Sequence, residues 1–295
     1  MYDHLGRAES CLTRVCCRRG RARCAGAAGV RFAQGSGRAC AARPRSRSTS
    51  VRQTLTHLEE RLAPDNFPRT KGVLMATPRR FIDVSHTVEH GMTTYKGFPA
   101  PVICDWLSRE ASRTKYAHGT EFQIGKIEMI ANTGTYVDSP FHRYDNGKDL
   151  SELPLESIAD LECLVVRIDP AAAPAIDRIP LTASQVGGRA VLFHTGWDRH
   201  WRSEAYFEGH PYLTERAAEW LAKAGAALVG IDSLNIDSVA TGERPVHTVL
   251  LGNDIPIVEH MCGLSALPDE GSKFFAVPVK VKAFGTFPVR AFALA

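Results

Sequence analysis

Short apolar runs separated by turn residues are the feature that most constrains the fold of this chain. Residues 81–88 alternate β-branched and polar side chains, as a half-buried strand does. Residues 164–168 and 190–193 are short apolar runs of the length expected for buried strands. Further strands are predicted at residues 123–131, 227–231, 274–281 and 289–294. Strands dominate and no repeat period is found, so the pattern predicts an α/β fold around a mixed sheet.

Residues 214–224 form the clearest helix in the sequence. Thr214 is a typical capping residue, Glu215 suits the positive end of the helix dipole, and Gly225 ends the helix. The apolar residues at 217, 218, 221 and 224 fall on one face, which predicts that this face is buried. We expect a single α/β domain that extends from about residue 76 to residue 295.

Residues 1–75 differ in charge from the rest of the chain. They carry 15 basic and 5 acidic residues, whereas residues 76–295 carry 21 basic and 27 acidic residues. The overall net charge of +4 therefore reflects the first segment. The remainder is mildly acidic, which argues against a nucleic-acid-binding surface.

The first segment also holds five of the eight cysteines, without the paired spacing of a zinc site. We interpret residues 1–75 as a disordered Arg/Ala/Cys-rich tail, either transit-like or an extension upstream of a start at Met75. The three remaining cysteines are widely spaced, which favours a reducing, cytoplasmic location. No run of 18 apolar residues occurs, so no membrane span is predicted.

Residues 132–142, Asn-Thr-Gly-Thr-Tyr-Val-Asp-Ser-Pro-Phe-His, are the segment most informative about function. In an extended chain, side chains two apart share a side. The segment then brings four polar groups toward one spot: Asn132, Tyr136, Asp138 and His142. This arrangement is typical of a metal or catalytic site.

Two residues far along the chain are candidate partners of Asp138. His247 precedes an apolar run, and Glu259 follows twelve residues later. Two carboxylates and an imidazole suit a divalent ion such as Zn²⁺ or Mn²⁺. By spacing alone, His247 could equally be a packed or surface histidine, and Glu259 a solvated charge at a strand end.

The 132–142 segment resembles the signature of the cyclase family of metal-dependent hydrolases, which includes bacterial kynurenine formamidases and isatin hydrolases. That signature is His-x-Gly-Thr-His-x-Asp-x-Pro-x-His, and the spacing matches throughout. The downstream His247 and Glu259, preceded by Gly230-Ile231-Asp232, resemble the second half of the family's metal site. The positions that match the signature are Gly134, Thr135, Asp138, Pro140 and His142.

The resemblance implies a swivelling β/β/α fold, a barrel-like mixed sheet with flanking helices, and a homo-oligomer, commonly a dimer. It implies that Asp138, His247 and Glu259 are metal ligands and that His142 is the catalytic acid/base. The implied reaction is hydrolysis of an aromatic amide, such as N-formylkynurenine to kynurenine and formate in tryptophan catabolism, or of a related lactam.

This chain departs from the signature at two positions, where Asn132 and Tyr136 replace the first two histidines. An amide is a weak ligand, and a phenol binds metal well only after it loses a proton with an ordinary pKa near 10. We therefore expect one divalent ion, with Asn132 and Tyr136 lining the pocket or contacting substrate. Tyr95 and Phe98, in a Pro/Gly-rich loop, are expected at an aromatic rim. The alternative is a metal-free small-molecule-binding pseudoenzyme of the same fold.

Two other hydrolase classes fit the sequence less well. Residues 86–90 spell His-x-x-Glu-His, a zinc-peptidase motif, but that chemistry needs a helix and the surrounding β-branched residues favour a strand. Serine hydrolysis finds no support, because no Gly-x-Ser-x-Gly turn occurs and Ser139 has no candidate base except His142.

Overall fold

The computed structural model describes residues 79–169, 171 and 173–295. The predicted tail, residues 1–75, lies outside the described residues, so its boundary stays a prediction. Among the described residues, no helix is both long and apolar enough to cross a membrane. The strands there are β1 Phe81–Asp83, β2 Val102–Leu107, β3 Ile124–Glu128, β4 Tyr136–Asp138, β5 Leu161–Arg167, β6 Ala175–Ile176, β7 Ala190–His194, β8 Tyr212–Leu213, β9 Leu228–Ile231, β10 Ile257–Glu259, β11 Ser272–Phe275, β12 Thr286–Pro288 and β13 Phe292–Leu294.

The helices are few and short. The described α-helices are α1 Arg109–Ser112, α2 Ala183–Val186, α3 Glu215–Ala224 and α4 Pro245–Gly252. Single 3₁₀ turns occur at Pro140–His142, Leu155–Ser157, Trp197–His200, Glu204–Phe207 and Leu264–Ala266.

Nine strands form one mixed sheet in the order β1-β13-β11-β5-β7-β9-β10-β4-β12. The four central strands β5, β7, β9 and β10 are parallel, and the flanking strands pair antiparallel. The sheet stays open because β1 and β12 lie at opposite edges. Parallel strands are usually covered on both faces, which explains why the sequence of the central strands is apolar rather than alternating. The predicted α/β mixed-sheet fold is confirmed.

The two faces of the sheet pack against different cores. Along β7, Leu192 contributes to one core while Val191 and Phe193 contribute to the other. Helices α3 and α4 cover the second face, where Leu221 and Leu250 are fully buried. Burying a leucine side chain contributes about 1.5–3 kcal/mol, so this face fixes α4 firmly against the sheet.

Helix α3 confirms the sequence prediction in detail. The Thr214 hydroxyl accepts a hydrogen bond from the Ala217 amide, and Gly225 ends the helix with φ of +78°. A left-handed backbone of this kind strongly favours glycine. Ala217, Ala218 and Leu221 are buried, as the apolar spacing predicted, and Ala224 is partly buried.

Other elements differ from the prediction. The strand predicted at 123–131 is the shorter β3, which pairs only with β2 in a separate sheet whose side chains are mostly exposed. The strand predicted at 274–281 ends at Phe275, and β12 was not predicted. His247 lies in helix α4, whose β-branched and apolar residues gave no helical signal in the sequence.

Candidate metal centre

Asp138 lies at the centre of the candidate site because β4 is held between β10 and β12. Alternation along β4 places Tyr136 and Asp138 on one side and Val137 in the core. Asp138 is fully buried, and its Oδ1 accepts a hydrogen bond from the Thr286 hydroxyl. Its Oδ2 has no hydrogen-bond partner among the described residues. A buried carboxylate oxygen without a partner is costly, so the atom is suited to a bound cation.

His142 lies on the 3₁₀ turn Pro140–His142 rather than on extended chain. Its Nδ1 is 2.8 Å from Thr286 Oγ1 and 3.8 Å from Asp138 Oδ1. The single hydroxyl hydrogen of Thr286 is donated to the Asp138 carboxylate, so Nδ1 of His142 must donate to Thr286. With Nδ1 bound to Thr286 and the side chain 35% exposed, Nε2 is the ring nitrogen that remains for other partners.

His247 enters the site from the first turn of α4. Asp237 accepts hydrogen bonds from the backbone amides of Val246 and His247, at 2.8 and 3.0 Å, and so holds the start of the helix. The second Asp237 oxygen also lies 2.6 Å from Nδ1 of His247. This contact leaves Nε2 facing the site, 3.7 Å from Asp138 Oδ2 and 3.8 Å from Glu259 Oε1. Ligand histidines in proteins are commonly oriented by such a carboxylate.

Glu259 lies at the end of β10, directly opposite Tyr136 in the antiparallel register. Its Oε1 accepts the backbone amide of Ile236 at 2.6 Å. Its Oε2 accepts hydrogen bonds from the Tyr136 hydroxyl at 2.5 Å and from the side-chain amide of Asn235 at 3.4 Å. Both carboxylate oxygens of Glu259 are therefore already hydrogen-bonded, unlike those of Asp138.

The electrostatics of the site favour added positive charge. Burial lowers the pKa of His247, but Glu259 and Asp138 outweigh burial and raise the pKa to about 10. Burial and the Asp138 carboxylate together raise the pKa of Glu259 to about 7, against the lowering effect of His247. The two buried carboxylates and the imidazole therefore keep bound protons at neutral pH, which reduces the net negative charge of the site. A divalent cation would supply this positive charge in place of the protons.

Three side chains meet the geometric requirement for a metal site. Asp138, His142 and His247 each offer a ligand atom, and these atoms lie within 4.8 Å of one another. The predicted ligand Glu259 is outside this group, although its Oε1 lies near His247 Nε2. His142, predicted as the acid/base, is inside it. Within this group, the Asp138 carboxylate oxygen and the His247 nitrogen are donors that suit a divalent cation such as Zn²⁺, and His142 lies beside them.

The predicted pocket residues all line one cavity of about 310 Å³: Asn132, Tyr136, Tyr95 and Phe98, together with His142. Tyr95 and Phe98 are in contact, with ring centroids 5.6 Å apart. Burial and the Glu259 charge raise the pKa of Tyr136 well above its usual value, which keeps its phenol protonated. Tyr136 therefore acts here as a hydrogen-bond donor to Glu259 and does not offer a phenolate.

Sequence reasoning missed several residues of the site. Asp237 orients His247, and Thr286 bridges Asp138 and His142. Arg143 and Arg244 line the cavity. Arg143 follows His142 directly, Arg244 lies three residues before His247, and Asp237 lies in the loop after a predicted strand, so position along the chain was the signal that could have indicated them.

Residues 86–90 do not form a peptidase site. They are not helical, and His86 stacks on the Trp201 ring at 4.0 Å between centroids. Glu89 forms an ion pair with Arg202, and Nδ1 of His90 accepts a hydrogen bond from the backbone amide of Ile103. The three side chains thus serve separate local contacts, which excludes a shared metal between them in this arrangement.

Known proteins with similar sequences carry hydrolase names. The kynurenine formamidase of Erythrobacter litoralis is 27% identical over 210 residues, which cover 69% of this chain and 88% of that protein. The kynurenine formamidase of Bacillus cytotoxicus is 28% identical over 218 residues, covering 72% of this chain and 95% of that protein.

Among solved structures, isatin hydrolase A from Labrenzia aggregata has a similar fold, with a TM-score of 0.60 and 21% sequence identity over 74% of this chain and 94% of that chain. The model of a sequence family described as "Putative cyclase" matches residues 82–238. This match covers more than half of the chain and includes β4 and the 132–142 segment. The chain therefore belongs to the cyclase family.

Proposed function

We propose that this protein is a metal-dependent hydrolase of a C–N amide bond, similar to an arylformamidase. Its substrate would be N-formylkynurenine, as in tryptophan catabolism, or a related aromatic amide or lactam. Family membership and relatives named kynurenine formamidase support the proposal. The observation that carries it is the buried Asp138 Oδ2, which has no hydrogen-bond partner in the described part of the chain and lies 3.7 Å from Nε2 of His247, next to an aromatic cavity.

The proposed cofactor is one divalent ion, Zn²⁺ or Mn²⁺, held by Asp138, His247 and Glu259. Such an ion lowers the pKa of a bound water to about 7 and polarises a carbonyl oxygen. Asp237 keeps Nε2 of His247 available as a ligand because it accepts the hydrogen of Nδ1. A single ion is favoured because Tyr136 already donates to Glu259 Oε2 and Asn132 is a neutral amide.

His142 is the proposed acid/base. Its Nδ1 is held by Thr286, so only Nε2 is free to exchange a proton with a molecule in the cavity. In amide hydrolysis Nε2 would take a proton from the attacking water and give it to the departing nitrogen. The Thr286 hydroxyl also donates to Asp138, so one residue positions both the proposed acid/base and a proposed metal ligand.

The cavity can hold a planar substrate. Tyr95 and Phe98 offer ring faces for an aromatic amide, and Asn132 offers an amide group for hydrogen bonding. The Tyr95 hydroxyl donates to the Leu234 carbonyl at 2.8 Å, which fixes its ring at the cavity wall. We propose that Tyr136 also lines the cavity but serves chiefly to hold Glu259.

A metal-free binding protein of the same fold is not favoured. A ligand-binding wall needs neither an unpartnered buried carboxylate nor a histidine oriented by a second buried carboxylate. Each of these features costs folding free energy unless a cation offsets it.

The proposal is tested by measuring metal content and hydrolysis on the same preparations. Purified protein loaded with Zn²⁺ or Mn²⁺ should hold about one ion per chain and release formate from N-formylkynurenine, with isatin as a comparison substrate. Asp138→Ala should lose both the ion and the activity. Asp145→Ala, an exposed aspartate seven residues along the chain, should keep both. Full activity of Asp138→Ala, or of wild-type protein stripped of metal, would overturn the proposal.

We also propose a cytoplasmic homodimer, as the family resemblance and the widely spaced cysteines of residues 76–295 suggest. Cys104, Cys163 and Cys262 are free thiols among the described residues. Light scattering of the purified protein checks the dimer, and a monomer at micromolar concentration would contradict it.

A further inference from the structure

Asn235 contacts both halves of the site, the aromatic wall and the metal centre. It lies in the loop after β9, lines the cavity and is 7% exposed. The backbone at this position is held independently, because the buried Ser233 hydroxyl donates to the carbonyls of Pro211 and Asn235, at 2.7 and 3.2 Å. A change of the Asn235 side chain therefore leaves this anchor of the loop in place.

The amide oxygen of Asn235 contacts the metal half of the site. Oδ1 accepts a hydrogen bond from the backbone amide of Asp237 at 2.9 Å, in a turn typical of asparagine. Asp237 is fully buried, and its carboxylate orients His247. Without Oδ1 the buried amide of Asp237 would lose its acceptor, which favours displacement of the turn. Asn235 thus helps to keep in place the residue that orients His247.

The amide nitrogen of Asn235 contacts the aromatic half of the site. The orientation of the side-chain amide is fixed, because the Asp237 backbone amide can only donate and must therefore face Oδ1. Nδ2 then donates to the Tyr95 hydroxyl oxygen at 3.0 Å and lies 3.4 Å from Oε2 of Glu259. Tyr95 donates its own hydrogen to the Leu234 carbonyl at 2.8 Å, so its oxygen can accept from Asn235. The Tyr95 hydroxyl is therefore held from two sides at the cavity wall.

Asparagine suits this position because one short side chain presents both an acceptor and a donor group. Aspartate would have no N–H group for Tyr95, and alanine would offer neither function. The partners are far apart in the chain, since Tyr95 lies 140 residues before Asn235 and Glu259 lies 24 residues after it. The side chain thus connects segments that the fold alone brings together.

We propose that Asn235 is a positioning residue that couples the aromatic wall to the metal centre, by holding the Tyr95 hydroxyl with one end of its amide and the Asp237 turn with the other. This inference rests on the proposed function, since it assigns a role within the same site. Asn235 acts through Tyr95 and Asp237 and takes no part in bond cleavage.

The test measures the two halves separately in Asn235→Ala and Asn235→Ser. Metal affinity is measured by titrating Zn²⁺ against a competing chelator, and the aromatic wall by calorimetric binding of acetophenone, a planar ketone without a C–N bond, at saturating Zn²⁺. Asn235→Ala should lower both affinities by about threefold to tenfold, the range for loss of one neutral hydrogen bond.

Asn235→Ser separates the two contacts. Its hydroxyl can accept from the Asp237 amide but is too short to reach Tyr95, so acetophenone binding should weaken while metal affinity stays close to the wild-type value. Asn146→Ala, which removes an exposed asparagine outside this cavity, is the control and should change neither affinity.

A double-mutant cycle with Tyr95→Phe distinguishes positioning from a general loss of structure. Tyr95→Phe removes the hydroxyl through which Nδ2 acts, so Asn235→Ala should weaken acetophenone binding less in that background than in the wild type. Its effect on metal affinity should be the same in both backgrounds. Equal losses of acetophenone affinity in the two backgrounds, no measurable acetophenone binding by the wild-type protein, or unchanged affinities in Asn235→Ala would each overturn the inference.

Hydrolysis of formanilide by the same metal-loaded samples separates this failure from failure of the proposed function. If formanilide is cleaved but the cycle shows no coupling, only the role of Asn235 is wrong. If the cycle shows the coupling but no amide is cleaved, the hydrolase is wrong and Asn235 positions the same groups in a binding site.

Discussion

Asp138 and Glu259 are buried carboxylates on neighbouring strands, and they differ in how many of their oxygens are already bonded. Asp138 keeps Oδ2 without a partner among the described residues, while Oδ1 accepts from Thr286. Glu259 accepts from Ile236 at one oxygen and from Tyr136 at the other. The same functional group is thus open to a cation on one strand and fixed by hydrogen bonds on the next. We therefore propose Asp138 as the principal anionic ligand of the site, with Glu259 in a supporting role.

The largest expected effect comes from replacing the open carboxylate. Asp138→Asn keeps the size of the side chain and an acceptor for Thr286 but removes the charge that faces His247 Nε2. We expect metal retention to fail and kcat/KM to drop by about 10³-fold or more, since the water-activating charge is lost. Glu259→Gln should cost less, because the Ile236 amide keeps its acceptor. Equal losses in the two variants, measured with one substrate at fixed metal, would break the comparison.

Asp237 offers the next largest effect. In Asp237→Asn one of the two oxygens that accept from Val246 and His247 becomes an N–H₂ group, which opposes a donor in either orientation, so the ring of His247 is held less firmly. We expect metal affinity to fall about 10–100-fold, as for other residues that orient a ligand histidine. Metal titration with a competing chelator measures it. Asp254→Asn, at an exposed ion pair with Lys148, is the control and should bind metal normally.

Tyr136→Phe tests how Glu259 is held. The variant leaves a buried carboxylate oxygen with only the long contact from Asn235. We expect the free energy of unfolding of the metal-free protein to fall by about 1–3 kcal/mol, the cost of an unsatisfied buried group. Denaturant titration checks this, with Tyr116→Phe as the exposed control. An unchanged free energy would mean that the phenol does not stabilise Glu259.

Thr286→Val should have the smallest effect. It removes the hydroxyl between Asp138 and His142 and preserves the shape of the side chain. We expect kcat to fall about tenfold with little change in KM, because one hydrogen bond of about 1–1.5 kcal/mol positions the proposed acid/base. Steady-state kinetics measure both constants. A rise in KM at constant kcat would indicate instead that Thr286 acts on substrate binding.

Local signals predicted the parts of the fold that depend on neighbouring residues. Helix α3 was predictable because its cap, apolar face and final glycine all lie within a dozen residues. Helix α4 was not, since its apolar and β-branched residues resemble a buried strand and only Pro245 at its start favours a helix. Strand β12 is three residues long, too short for a periodic pattern to appear.

The candidate site shows the same division between local and distant information. The 132–142 motif identified Asp138 and His142, and the sequence also pointed to His247 and Glu259. It gave no sign that Thr286 would lie against Asp138, 148 residues away. That contact depends on the pairing of β12 with β4, which places Thr286 directly opposite Asp138. Such register is set by packing of the whole sheet and cannot be read from one segment.

The most direct test of a single cation between Asp138 and His247 is a crystal structure of the metal-loaded protein with anomalous scattering data. We predict one peak per chain, about 2.0–2.2 Å from both Asp138 Oδ2 and His247 Nε2, as for zinc bound by nitrogen and oxygen ligands. Two peaks, or a peak away from these atoms, would contradict the account.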